Sequence, residues 1–408
     1  MTDRRSFLLQ TAGALTGMAL LPDAVAAAPR RLGAPRRVGV IGVGRQGRAI
    51  IGELQKLPDV TVAVVCDMSP SRLRTASDRA PGAVAVADYR QVLDRADLDA
   101  VILATPTHLH ATIALEAMAT GRPLWLEAPL AHTLDDVQAI LGAARAARGL
   151  VYPALLARAN PLYQRAFSFI GSDSLRAPVS LFAQSNRKTS WRVPAAEPGS
   201  EQAVNWRLDP AVSLGLAGEL GTHQFDVALR YLDEVMPSAI TGHGAIRLWQ
   251  DGRTMADSVQ ATLVWPNGVA LQWQATLANS FGGQYEVLHA EHAAIKTSER
   301  HAWLFKEADA PTQGWEVYAT RQPLGDDEGI VLRADATQIS AQSDTRRAAA
   351  LAAPSLYHAL ADFISAVDTG TRPVVTMEMA ARATILGILA ASAIQSGSTL
   401  PVPSLPIP

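Results

Sequence analysis

The sequence predicts an α/β chain in two parts: a doubly wound parallel sheet, then an α/β domain whose sheet is largely antiparallel. Three observations predict it. From Arg37 to Leu155 short apolar strands alternate with amphipathic helices at the spacing of a parallel sheet. The run Gly42-Val43-Gly44-Arg45-Gln46-Gly47 stands between the first strand and the first helix. From Ala239 to about Thr297 the apolar period becomes two, and a Pro-Asn-Gly turn at 266–268 joins two alternating segments.

In the first domain, residues 36–157, strands are expected at Arg37–Ile41, Thr61–Cys66, Ala100–Ala104, Leu124–Glu127 and Val151–Leu155. Helices are expected at Arg45–Leu57, Pro70–Arg79, Tyr89–Arg95, Leu109–Thr120 and Leu134–Arg148. The second domain, 158–350, begins with a helix at Leu162–Ile170 and a strand at Val179–Gln184. A polar loop (Glu197–Asn205), a helix (Gly221–Leu232), the alternating strands and a charged, Gly/Pro-punctuated stretch follow. The remainder, 351–408, holds helices Ser355–Asp368 and Met377–Ser396, expected to pack back on the core, and a proline-rich tail. The apolar run Ile385–Ile394 is too short to span a bilayer and reads as core.

With 408 residues, 48% hydrophobic and 18% charged, the chain is long enough for two domains and a substantial core. A net charge of -2 gives no reason to expect nucleic acid or an anionic membrane as partner. The single cysteine, Cys66, forms no internal disulfide and reads as core. Residues 1–30 read as a removable leader: Arg4-Arg5, then Ser6-Phe7-Leu8, a moderately apolar stretch and small residues around Ala26. That pattern predicts export by the twin-arginine route, to the periplasm or beyond, with no stable membrane anchor.

The glycines carry the most chemistry. The first permits a tight turn, the second lets the backbone approach a pyrophosphate, and the third lets helix and strand pack closely. Helix N–H groups near Arg45 and Gln46 then face the phosphates. Asp67 ends the next strand, where an acid binds ribose hydroxyls, and its charge favours NAD over NADP; Ser69 and Arg72 leave room for a 2′-phosphate. Because the twin-arginine route carries folded proteins, such a dinucleotide is expected to be loaded before export and held tightly.

Further segments complete a pattern. Ala104-Thr105-Pro106-Thr107-His108-Leu109-His110 and Glu127-Ala128-Pro129 each follow a strand of the first domain. Asn205-Trp206-Arg207 and Gly218-Glu219-Leu220-Gly221-Thr222-His223-Gln224-Phe225-Asp226 lie in the second. With the glycine fingerprint these resemble the Gfo/Idh/MocA oxidoreductases, which include glucose–fructose oxidoreductase and inositol dehydrogenases. The resemblance runs from about residue 36 to 403. It implies a Rossmann domain beside an α/β domain with a large open sheet, and a nicotinamide in the crevice between them. It also implies a sugar, cyclitol or related polyol as substrate, and a dimer or tetramer joined through the open sheet face. Thr105, Pro106, His108, His110, Glu127 and Ala128 would line the cofactor.

Polyol oxidation needs a base for the hydroxyl proton and a group to stabilise the developing alkoxide. His223 is the expected base. Glu219, one helical turn earlier, is expected to reach His223 or the substrate. Asp226 has an orienting or structural role. The family's Glu-Lys-Pro carries a catalytic lysine where this chain has Ala128. Lys188 is the candidate substitute, with Arg207 another possible cation. Arg158, Asn186, Trp206 and Arg207 are expected to bind substrate. The pair His108 and His110 has a metal-ligand spacing but no supporting carboxylate cluster, so no metal is predicted. Two alternatives stay open: a glycoside-cleaving enzyme that works through a transient keto intermediate with no net redox change, and a non-catalytic dinucleotide-holding sugar-binding protein.

Overall fold

The computed structural model describes residues 35–324, 327–333 and 350–403, so the expected leader lies outside the described residues. Near-continuous apolar runs make β1 (Arg36–Ile41) and β2 (Val60–Cys66) buried on both faces, as a helix-covered parallel sheet requires. Helices α1 (Arg45–Leu54) and α2 (Pro70–Arg79) connect β1, β2 and the short β3 (Val84–Val86). Then come β4 (Ala100–Leu103), α3 (His110–Ala119), β5 (Leu124–Leu126), α4 (Leu134–Ala146) and β6 (Val151–Pro153). The six parallel strands lie in the order β3-β2-β1-β4-β5-β6. The order reverses between β1 and β4, which opens a crevice at their carboxyl ends. Strand β3 was not expected from sequence: it is three residues long, at the edge, and has no buried side to mark it.

After helix α5 (Pro161–Phe167) the chain enters a ten-stranded sheet through β7 (Pro178–Asn186). Helix α6 (Thr222–Tyr231) precedes β8 (Ala239–Ala245), β9 (Ser258–Val264), β10 (Ala270–Thr276), β11 (Gln284–Ala290), β12 (Ala293–Thr297) and β13 (Ala302–Lys306). Strand β15 (Asp327–Leu332) pairs with β13, and β14 (Arg321–Leu324) pairs with β15 to form the sheet edge. Every described pairing is antiparallel except β7 with β10. Strand parity divides the faces. Leu181, Ala183, Leu263, Leu271, Trp273 and Ala275 are buried toward the helices, while Gln260, Thr262, Gln272 and Gln274 take the opposite, open face.

Two last helices, α7 (Ser355–Thr369) and α8 (Met377–Ser396), join the domains before the short β16 (Leu400–Pro401) pairs with β8. Phe363 of α7 packs edge-on against the stacked pair Trp125 and Tyr152 of the first sheet, and Tyr152 donates to Asp362 at 2.9 Å. Helix α8 lies against α4 of the first domain and against α6 and β8 of the second. Thr384 on it accepts the buried Leu130 N–H at 3.0 Å. By length and composition α8 would cross a membrane, but Ile385, Leu386, Ala390 and Ala393 are fully buried within the fold, as core residues.

Candidate active site

The glycine loop sits at the crevice, and each glycine has a separate physical reason. Gly42 has φ +87°, and a Cβ there would meet the Ala104 backbone at 2.6 Å. At Gly47 a Cβ would lie 1.9 Å from the Gly42 carbonyl oxygen. Gly44 faces open space, with nothing within 4 Å of where its Cβ would stand. The turn is thus closed on the protein side and clear on the crevice side, the shape a pyrophosphate backing needs. Asp67 accepts the Val43 N–H at 3.0 Å and the Ser69 N–H at 2.9 Å, and Arg72 lies 4.0 Å from its carboxylate. Two N–H donors leave the carboxylate with free acceptor positions.

Glu127 closes the floor. Its buried carboxylate accepts from Trp125 Nε1 at 2.8 Å and from Gln46 at 3.2 Å, and burial pushes its pKa up to about 7. The next residue contributes through its backbone, which favours the charged form of the His223 ring against the effect of burial. Burial brings the His223 pKa down to about 4, so the ring is neutral at physiological pH. A neutral imidazole carries one N–H and one lone pair, so it can accept a proton.

The second domain supplies the opposite wall. The segment Ala217–Gly221 is a turn of π-helix leading directly into α6, a widened geometry often found at functional sites. Glu219 within it accepts from Thr107 Oγ1 at 2.8 Å, across the domain boundary, and from Arg207 Nε at 3.3 Å. Burial pushes the Glu219 pKa up, against the pull of Arg207 and Thr107. Of the two targets expected of Glu219, His223 is not the one it bonds: the carboxylate goes to Thr107 and Arg207. Arg207 also lies over the Trp206 ring, 4.5 Å from its centroid, and Trp206 meets His108 edge-on at 5.8 Å. Burial, then the charges of Arg187 and Arg207, lower the Arg45 pKa.

Other expectations are corrected by the structure. Arg158 is buried and faces away from the crevice chemistry, bidentate to Asp226 at 2.7 and 3.0 Å and 2.7 Å from Glu234. Asn186 has the parity of Gln184 and so belongs to the open sheet face, where it donates to the Phe281 carbonyl at 3.1 Å. Lys188 is exposed past the end of β7, held only through its backbone N–H to Ser280. His110 is buried with its ring nitrogens 2.9 and 3.0 Å from the Pro129 and Thr105 carbonyls, so it ties two crevice loops together and does not line the crevice. Sequence reasoning gave no role to Thr107, Trp125 or His132, whose ring meets His108 edge-on at 6.3 Å. Thr107 and His132 lie in or just beyond the quoted motifs, the one signal that marks them. Among the described residues no three His, Cys, Asp or Glu side chains group as metal ligands.

Two family models match the chain: the oxidoreductase family with an NAD-binding Rossmann fold over residues 36–154, and the GFO/IDH/MocA C-terminal domain over 185–296. The chain belongs to the Gfo/Idh/MocA oxidoreductases. An inositol 2-dehydrogenase of Pseudarthrobacter chlorophenolicus is 43% identical over 95 residues, 23% of this chain and 28% of that one. A glycosyl hydrolase family 109 protein of Shewanella pealeana is 32% identical over 175 residues, 35% and 37% of the two chains. The matches span about half the length of the first curated relatives or less. A solved levoglucosan dehydrogenase, in complex with NADH and levoglucosan, aligns with TM-score 0.70 over 90% of this chain and 100% of that one; at 19% identity the likeness is one of fold.

The crevice of this Gfo/Idh/MocA oxidoreductase fits the dinucleotide its family implies. The clear face of Gly44 suits the pyrophosphate, and Asp67 has acceptor positions to spare. Thr105 Oγ1 and His108 Nδ1, in the loop after β4, are buried without a hydrogen-bond partner.

Proposed function

We propose that the protein is an exported, NAD-dependent oxidoreductase of a sugar, cyclitol or related polyol, with the dinucleotide held tightly. Bound NAD supplies the hydride acceptor; the chain supplies the rest. His223 removes the hydroxyl proton, since its ring is neutral and free to accept one. Arg207 stabilises the alkoxide. Its Nε is tied to Glu219 and its plane rests on Trp206, so its terminal nitrogens are preorganised and not free to wander. This supports Arg207 over Lys188 as the cation that stands in for the lysine absent at Ala128. The observation that carries the reading is the bridge Thr107–Glu219–Arg207, which joins a loop of the first domain to the second-domain side chains. The test is reduction of the bound dinucleotide on adding members of a polyol panel. His223→Asn is expected to lower kcat by about 100-fold or more while leaving NAD affinity unchanged. Full activity in that variant would remove His223 from the role of base.

A second reading, redox-neutral glycoside cleavage, is favoured by the family 109 relative and by Ala128. Nitrophenol release from chromogenic glycosides without added NAD tests it, and a polyol substrate with no such release excludes it. Export rests on the Arg4-Arg5 leader; replacing both arginines by lysine is expected to retain the protein inside the cell. Association through the open face of the ten-stranded sheet, as a dimer or tetramer, is expected to appear in sedimentation.

A further inference from the structure

The second domain reaches back to the far end of the crevice by one loop. It leaves β7 with its backbone pinned to β10 and the segment after it: Arg187 and Thr189 donate to the Thr276 and Leu277 carbonyls at 2.9 and 3.1 Å. It returns with Val193 N–H on Asn205 at 2.7 Å and Arg192 on Glu201 at 2.8 Å. Trp191 within it holds φ +62°, a left-handed conformation that a bulky side chain rarely adopts. Anchored at both ends on one domain, the loop puts Glu197 on the other. The Glu197 carboxylate accepts the Ser71 N–H at 3.0 Å and the Ser69 hydroxyl at 3.1 Å. The Ser71 donors, then Ser69 and the charge of Arg74, hold Glu197 below the usual carboxylate range.

Those donors adjoin Asp67, whose carboxylate accepts the Ser69 N–H at 2.9 Å. On the reading that Asp67 receives the adenosine ribose, a phosphate on the 2′-hydroxyl would project onto Ser69 and Ser71. Hydroxyl, amide N–H and a nearby arginine are the donor set a phosphate monoester takes. Here a carboxylate from the other domain already occupies it.

We propose that Glu197 is a determinant of cofactor choice, a strap carboxylate that seats itself on the donors a 2′-phosphate would need and so bars the phosphorylated dinucleotide. The inference rests on the dinucleotide reading and adds to it a second exclusion, independent of Asp67 and carried by the domain that does not bind adenosine. NADP must displace Glu197 from Ser69 and Ser71 and then accept it as a like-charged neighbour. NAD, with a bare 2′-hydroxyl, leaves the contact intact.

The test is separate titration of the full chain, freed of bound dinucleotide, with NAD and NADP, read by tryptophan fluorescence, for wild type, Glu197→Ala and Glu197→Gln. The ratio of the two dissociation constants is expected to shift toward NADP by at least tenfold in Glu197→Ala. A smaller shift is expected in Glu197→Gln, which keeps an acceptor oxygen and loses the charge. If both variants still bind NAD and neither changes the ratio by more than threefold, the inference is overturned. Equal weakening of both dinucleotides overturns it as well, since Glu197 would then be a general clamp. If wild type binds neither dinucleotide, the dinucleotide reading itself fails and this inference falls with it.

Discussion

The two walls of the crevice are built by different means. The first-domain wall is mostly backbone: a glycine turn, a run of N–H groups and the Ala128 carbonyl. The second-domain wall is mostly side chains held by other side chains, with Glu219 joined to Arg207 and Thr107, and Arg207 resting on Trp206. A backbone wall constrains which residue types are allowed, so it leaves a short, local sequence signature. A side-chain wall depends on which way each residue points, and that is decided by elements far away in sequence.

The sharpest contrast lies within the glycine turn. Gly47→Ala forces its Cβ to within 1.9 Å of the Gly42 carbonyl oxygen, backbone against backbone. It is expected to cost about 3 kcal/mol or more and to abolish dinucleotide binding, read by denaturation midpoint and NAD titration. Gly44→Ala meets nothing and should fold normally while binding NAD far more weakly. Normal NAD affinity in Gly44→Ala would break the backbone account of this wall.

Arg158→Met probes the second domain behind its wall. It strands the buried Asp226 and is expected to destabilise by about 3–5 kcal/mol, with KM unchanged under conditions where the variant is folded. A raised KM at full stability would return Arg158 to the substrate.

Glu127 offers a comparison by pH. Its folded pKa of about 7 stands above the ordinary carboxylate value of 4.5, so between those limits the native state binds the extra proton. The associated stability is complete below about pH 4.5 and is lost as pH rises toward 7. Glu127→Gln should be flat across that window and more stable than wild type above it, by on the order of 3 kcal/mol, checked by urea unfolding at several pH values.

Smallest is the contrast between the two cations. Arg207→Ala should lower kcat about tenfold or more, whereas Lys188→Ala should leave it within about twofold. The reverse ranking would put Lys188 back at the reacting hydroxyl.

The first sheet was legible because buried parallel strands are continuous apolar runs, and the glycines because a turn this tight admits no Cβ. Strand β3 left no pattern, having no buried face. Asn186 was misread because its side depends on strand parity, which can be fixed only once Leu181 and Ala183 are known to face the helices. Arg158 was misread for the opposite reason: nothing local reveals that Asp226 and Glu234, 68 and 76 residues on, converge on it. Glu219 was placed by its motif, but its partner was not, because a π-turn and an α-turn look alike in sequence.

Helix α8 ties α4, α6 and β8 into one body, and Thr384 on it holds the Leu130 N–H from the loop that carries Ala128. The loop that carries Ala128 is thus braced by a residue 254 positions away along the chain. The glycine turn closes from its own local sequence, whereas the crevice closes only once that distant helix has docked. Loss of the Thr384 hydroxyl is therefore expected to loosen the crevice and spare the turn.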